Sequence, residues 1–596
     1  MALQATIRVR QAGVRAGTGA RLLALFAIAL HASAFADDAA FQAVADDYID
    51  HYYLPAHPSG ATQLGVHTYD DRIEDYSRAG LHRQAATLHR YLARLEALPA
   101  AGLSQHAGDD REMLINSIRA DLLSLEEWRP WEKNPDTYSS SVTNSAYVIM
   151  QREYAPADER LRHLVAREHA MPAALAAARV NLKNPPRIWT EIAIEQMPGA
   201  IGFFRKDLPQ AFEGVQDAAL QAQFAASNAA VIKALEAYQQ WLKGSLLARS
   251  KGDFRLGADL FRRELALDEM VDTPLDQLLA TGMADLRRNQ AEFARVAGRM
   301  EPGKPTAEVL AELGRDVPTP DRLLQAFRET FDGITRFIDA RNVITIPAGE
   351  PPILRETPPF MRATTFASMD TPGPFEPRAH EAYFSVTLPE AGWDAKRVAG
   401  FMSQFSYPVI SNVTVHEAYP GHFVQGLWIR SNPDRIRQLL GASTYVEGWA
   451  HYCEQMMLDE GFGQPAPGSG AAGTRAADLL RLGQLQDALL RDARYIVAIR
   501  LHTQGMSLED AVKFFVDEGY QSHEVGEAET KRGTADALYL YYTLGKLQIM
   551  KLRADVQARE GAAFTLKSFH DRLMQLGQPP LRIARREMLG SDSPTL

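Results

Sequence analysis

The chain has 596 residues, 46% of them hydrophobic and 23% charged, with a formal net charge of −10. That length exceeds one ordinary core, so two or more packed lobes are expected, and the composition is that of a soluble globular protein. The acidic balance argues against nucleic-acid binding, which calls for a basic stripe, and the single cysteine, Cys453, excludes an internal disulfide.

At the N-terminus Arg8, Arg10, Arg15 and Arg21 flank or precede the apolar run 22–30, and Ala34-Phe35-Ala36 offers a small-residue cleavage site before Asp37. Residues 1–36 therefore read as a secretory signal cleaved after Ala36, giving a periplasmic or secreted protein with no membrane attachment. The apolar run falls short of the roughly 20 residues needed to span a bilayer.

Helical periodicity follows. Apolar positions recur at three and four over 81–98, 110–127, 157–182, 217–249, 274–299, 306–313 and 320–340. The Ala-rich stretch 173–178 suits close helix packing. These segments make a helical lobe over 37–340 whose role is scaffold. Between 341 and 390 the segments 343–346, 363–367 and 383–388 are short, β-rich and bracketed by Pro and Gly. They predict a small sheet ahead of the helix described next, which either offers an edge for an extended peptide or simply closes the core.

From 395 the helical pattern resumes, and 341–596 reads as the catalytic lobe. The Gly/Pro/Ala-rich stretch 461–473 predicts a loop or flap. Ser507 with Asp510 predicts a capping box. Residues 530–555 predict one long helix carrying Tyr539, Tyr541 and Tyr542. The fold class is mainly α, two helical lobes with a small β-sheet.

The chemistry concentrates in this second part. Residues 416–422 read His-Glu-Ala-Tyr-Pro-Gly-His, and Glu447 follows inside Glu-Gly-Trp-Ala-His. Two imidazoles and a carboxylate from a neighbouring helix make an open three-ligand zinc site, and the Glu beside the first histidine supplies a general base. The metal donors are then His416, His422 and Glu447, and the base is Glu417. On a regular helix residues six apart point about 120° away from each other and stand about 9 Å apart along the axis, too far for one ion. Pro420 and Gly421 predict a bulge that returns His422 to the metal face. If the helix instead ends at Pro420, His422 becomes a supporting or substrate-binding group. Glu447, His451 and Glu454 share one helical face, so His451 and Glu454 are expected to orient a ligand imidazole or to satisfy the core, with direct ligation by His451 the alternative. Cys453 points elsewhere. For the oxyanion the candidates are Tyr539, Tyr541, Tyr542, Arg532, His502 and Arg500, with Tyr542 preferred.

The runs His-Glu-Ala-Tyr-Pro-Gly-His-Phe-Val-Gln, Tyr-Val-Glu-Gly-Trp-Ala-His-Tyr and Arg-Leu-His-Thr-Gln-Gly-Met-Ser, with the early Ala-Thr-Gln-Leu-Gly-Val-His-Thr-Tyr-Asp-Asp-Arg, resemble the bacterial family of domain-of-unknown-function 885. That family in turn resembles the all-helical gluzincin peptidases of the thimet oligopeptidase and carboxypeptidase Taq groups. The resemblance covers nearly the whole mature chain. It implies His416, His422 and Glu447 as zinc ligands, Glu417 as base, and two helical lobes around a deep channel that admits short peptides. The lengthened motif departs from the peptidase pattern, and the segment around Arg532 and Tyr542 lacks the Pro-Gly-Gln run of those groups. The expected activity is a zinc-dependent hydrolase acting on short peptides. The rivals are a metallohydrolase of non-peptide amides or esters, and a non-catalytic periplasmic peptide- or metal-binding protein.

Overall fold

The computed structural model describes residues 37–358, 361–362, 365–465 and 468–596. The predicted signal segment 1–36 lies outside them, as do residues 363–364 of a predicted strand and 466–467 of the predicted loop.

The protein is mainly α-helical, and the periodic segments become helices close to where the pattern places them. The 81–98 pattern is Arg78–Glu96, started by the Ser77 side chain accepting from Gly80 N. Ser104 caps α1 (Gln105–Leu122) in the same way through Ala107 N. The 157–182 pattern is Ala157–Asn181. Further along come α2 (Gly257–Asp268) and α3 (Leu275–Met300). In α4 (Leu323–Arg341) the buried set Leu323, Phe327, Phe331, Ile334 and Ile338 repeats at three and four, and Asn342 ends the helix in the left-handed region.

The sheet has three strands, β1 (Ile353–Glu356), β2 (Ala367–Asp370) and β3 (Tyr383–Val386), in the order β1-β3-β2. β3 runs parallel to β1 and antiparallel to β2, with Met369 opposite Phe384. Two of the three expected strands therefore sit near their predicted places, but 343–346 is not a strand: Val343 and Ile344 are buried beneath α4 in irregular backbone, and the first strand begins ten residues later. Phe384 packs between Phe327 and Phe331 of α4. Each such burial contributes about 1.5–3 kcal/mol, so the central strand is pinned to the helical layer while β1 and β2 keep outer edges.

Six helices then build the site: α5 (Tyr407–Glu417), α6 (His422–Ser431), α7 (Ser443–Asp459), α8 (Gly470–Thr503), α9 (His523–Ala535) and α10 (Tyr541–Glu560). Ser507 does cap the helix that follows α8, accepting from Asp510 N. The expected single helix over 530–555 is broken: α9 stops at Ala535 and α10 starts at Tyr541. The break lets Tyr539 fold back, fully buried, against Gly533, where a Cβ would meet its hydroxyl at 2.3 Å. The 461–473 loop is shorter than expected, since α8 begins at Gly470. One hydrophobic cluster joins α4, the sheet, α5, α7 and α10, and another joins α2 and α3 to α8 and Tyr539.

Candidate metal centre

α5 carries the first half of the motif and α6 the second, and between them the chain leaves helical geometry altogether. α5 ends at Glu417, Tyr419-Pro420 is a cis peptide, and α6 restarts at His422. This corrects the expectation of a bulge within one continuous helix. The helix ends as in the alternative reading, yet His422 still comes back to His416: their rings lie 4.9 Å apart and perpendicular. The reversal requires glycine at 421, because a Cβ there would stand 1.7 Å from His416 O. Gly421 N donates to Val415 O (3.1 Å), and the Trp449 indole of α7 donates to Pro420 O (2.9 Å). The turn is thus tied both to the helix before it and to the helix that carries Glu447.

Glu447 Oε2 stands 3.4 Å from His416 Nε2 and 3.3 Å from His422 Nε2. The three donor atoms lie within 4.8 Å of one another. Glu447 Oε2 is shut off from solvent and has no hydrogen bond among the described residues. A buried carboxylate oxygen left without a partner is costly, and here it faces the two imidazole nitrogens that a divalent ion would take. Burial alone would raise the Glu447 carboxyl, but the imidazoles of His422 and His416 hold it well below the usual range. Burial opposes charge on His416 as well, and Glu447 and Glu454 push that imidazole up to about 9. The donor set, two imidazoles and one carboxylate, is that of an open catalytic zinc site, so the residues present fit the ion.

The other ring nitrogens are engaged from behind. His416 Nδ1 pairs with Glu454 Oε1 (2.7 Å) and His422 Nδ1 with Gln425 Oε1 (3.0 Å). A metal displacing the Nε2 protons would leave neutral imidazoles that donate from Nδ1 and present Nε2 lone pairs to the centre, the ligating tautomer. Glu454 also accepts from Asn412 Nδ2 (2.9 Å), and Arg491 lies 3.5 Å away. Burial opposes the charge on Arg491, but Glu454 and Asp487 hold it raised. Glu454 thus contacts the His416 imidazole from the side away from Glu447, the place an orienting group would occupy. His451 takes the core place also expected of it: it is fully buried, Nδ1 lies 3.4 Å from Glu454 Oε2, neither ring nitrogen has a hydrogen-bond partner among the described residues, and burial pushes it down to about 3. Gln425, Asn412 and Arg491 were not singled out in the sequence. Gln425, three residues after His422, and Asn412, four before His416, were open to a helical-spacing argument, whereas Arg491 is 75 residues from His416 and gave no such signal.

Glu417 ends α5, is 8% exposed, and has no hydrogen-bond partner among the described residues. It is close enough that its charge acts on His422.

Of the oxyanion candidates, the structure brings Tyr542 and Arg532 to the centre. The Tyr542 ring lies 6.3 Å from the His416 ring, nearly parallel to it, and Arg532 Nη2 donates to the Tyr542 hydroxyl (3.1 Å). Arg494, held by a two-pronged pair with Glu529, lies 4.9 Å above the Tyr542 ring. Tyr541 sits one layer out, donating to Asp536 (2.8 Å). Tyr539 is buried in another cluster, His502 pairs with Gly533 O (2.7 Å), and Arg500 lies over Phe514, so these three do not join the centre. Cys453, expected to point elsewhere, is buried in the core.

Among solved structures, the chain is similar to a candidate lipoprotein of unknown function from Shewanella oneidensis, with 26% identity and a TM-score of 0.75 over 92% of this chain and 99% of that one. It is also similar to a candidate lipoprotein from Colwellia psychrerythraea, with 17% identity and a TM-score of 0.76 over 93% and 98%. No curated protein matches the chain. The model of a bacterial protein family of unknown function, DUF885, matches residues 58–588, and the chain belongs to that family.

Proposed function

We propose that the protein is a zinc-dependent hydrolase of short peptides. The observation that carries the reading is the convergence of His416 Nε2, His422 Nε2 and the unpartnered Glu447 Oε2 beside a free carboxylate, Glu417. These three atoms would hold the ion. When bound, zinc polarises the scissile carbonyl and lowers the pKa of a coordinated water from 15.7 toward about 7. Glu417 takes the proton of the attacking water and returns it to the leaving nitrogen. The Tyr542 hydroxyl, held by Arg532, donates to the carbonyl oxygen as charge gathers on it. Glu454 and Gln425 keep His416 and His422 in the tautomer that leaves Nε2 free.

A binding-only site has no need of the Glu417 carboxylate, which favours catalysis. The edges of β1 and β2 suit an extended peptide chain, which favours peptides over simple esters. The likeness to the gluzincin peptidases belongs to this same reading. Export also belongs to it: the N-terminal signal pattern agrees with the naming of both structural neighbours as candidate lipoproteins, and no helix among the described residues is long and apolar enough to cross a membrane.

The test is metal content by mass spectrometry on the purified chain, followed by digestion of a mixed peptide library before and after chelation. One equivalent of zinc with chelator-sensitive cleavage is expected. A metal-loaded protein that cuts esters but no peptide, or nothing at all, overturns the reading.

A further inference from the structure

Next to the centre lies a cavity of about 360 Å³ whose wall includes the carboxylates of Glu264, Asp268, Glu269 and Asp536 and no lysine or arginine. That volume is in the range of ligand pockets, roughly 300–1,000 Å³. The negative charge in it is poorly answered. Glu264 Oε2 is closed off from solvent without a hydrogen-bond partner among the described residues. Asp268 has no ion pair or hydrogen bond among the described residues and is the last residue of α2, where the free carbonyls of the helix end add further negative potential. It lies one turn from Glu264 on the same face, a repulsive spacing for like charges. Glu269 is 3% exposed and accepts only from neutral donors, Ser443 N, Thr444 N and the Thr444 hydroxyl. Asp536 alone has a cation beside it, Arg532 at 3.3 Å. His502, also in the wall, is no counter-charge, because burial pushes it down to about 4.

The crowding shows in the acids themselves. The protein around Asp268, then Glu264 and Glu269, raise its carboxyl above the usual range although the side chain is exposed, and burial followed by Asp536 raises Glu264, so a cation arriving in the cavity would restore charge to both. The rest of the wall mixes hydrocarbon, Trp128, Leu256, Met270 and Leu440 among it, with the neutral polar groups of Asn116, Ser117, Ser443 and Thr534. An inorganic divalent ion asks for oxygen on all sides, whereas acids beside hydrocarbon such as Trp128, Leu256 and Met270 suit a charged head on a hydrocarbon stem.

The cavity shares two walls with the centre. Ser443, in its lining, opens α7 one turn before Glu447. Tyr541, also in its lining, has its ring 4.9 Å from Tyr542. We propose that this cavity is a specificity pocket for an alkylammonium group of the peptide substrate, carried either by a lysine side chain or by a free amino terminus. The proposal rests on the hydrolase reading for the word substrate, but the binding it asserts does not depend on turnover.

The experiment is calorimetry on the full chain carrying Glu417→Gln, with three peptides: acetyl-Ala-Lys-Ala-amide, Ala-norleucine-Ala-amide with a free amino terminus, and neutral acetyl-Ala-norleucine-Ala-amide. One of the charged peptides should bind at least tenfold more tightly than the neutral one, and which of them does so identifies the source of the ammonium. Asp268→Lys, which places a cation in the cavity, should remove that preference and melt no lower than its parent; Asp268→Asn should weaken the preference without filling the space. Equal binding of all three peptides, or a preference that survives Asp268→Lys, overturns the proposal. Wild-type cleavage indifferent to charge would sink the pocket and leave the hydrolase standing. A charge preference in a chain that cleaves nothing would do the reverse.

Discussion

Gly545 of α10 lies against Gly448 of α7 so closely that a Cβ on Gly545 would stand 2.8 Å from Gly448 Cα and 1.8 Å from Thr444 O. Two helices that touch backbone to backbone leave no room for a side chain between them. The contact also sets the site, since Glu447 precedes Gly448 by one residue and Tyr542 precedes Gly545 by three. Gly545→Ala should therefore lower stability by about 1–3 kcal/mol, the usual cost of overpacking, and weaken zinc binding at the same time. Urea unfolding and a metal-competition titration on the same samples check both. A destabilised protein with unchanged zinc affinity would separate the helix contact from the site.

Glu417→Gln keeps the shape of the side chain and removes its basicity. The variant should retain its metal, because Glu417 is not among the converging donors, and should lose roughly 10²–10⁴-fold in kcat, the usual worth of a positioned acid–base group. Metal analysis beside steady-state kinetics decides it; turnover near wild type rules Glu417 out as the base.

Glu454→Ala removes the acceptor of His416 Nδ1 and leaves Arg491 buried with one fewer counter-charge. Loss of such a partner behind a ligand imidazole typically costs 10–100-fold in metal affinity. Removing one member of a buried ion pair costs about 3–5 kcal/mol of stability. Glu454→Gln, which can still accept from His416 Nδ1, should recover most of the metal affinity but little of the stability, and that split distinguishes orientation of the imidazole from bulk packing.

The periodic helices, the sheet around Tyr383–Val386 and the residue types of the centre were legible in the sequence, because period and spacing are local properties. His416, Glu417, His422 and Glu447 could be named from the spacing of 416–422 and the pattern around 447. The path that joins them could not. A cis Tyr419-Pro420 peptide and a Gly421 pressed on His416 O replace the expected bulge, and neither follows from propensity. The break at 536–540 was missed for a related reason: helix-forming residues continue across it, and only the burial of Tyr539 against Gly533 shows why the chain must turn. The cavity acids come from α2, its end and the α9–α10 connection, so nothing short of the fold could assemble them.

The pH dependence of stability should carry the mark of histidines buried in neutral form. His570 is fully buried, Nδ1 donating to Val343 O (2.7 Å) and Nε2 accepting from the Tyr452 hydroxyl (2.9 Å), and burial pushes it down to about 3. An unfolded histidine titrates near 6.5. The folded value is the lower one, so below about 6.5 the unfolded chain binds a proton that the folded chain refuses. The contribution of His570 is complete above that pH and is lost as pH falls toward 3, by up to about 1.4 kcal/mol per unit. Other groups oppose this trend, Asp268 among them, whose raised value favours folding as pH falls. The quantity to measure is therefore the stability difference between wild type and His570→Gln, from urea unfolding at a series of pH values. That difference should be largest above pH 6.5 and shrink steadily below it. A difference that stays constant from pH 7 to pH 4.5 would show that His570 is not held neutral by its burial.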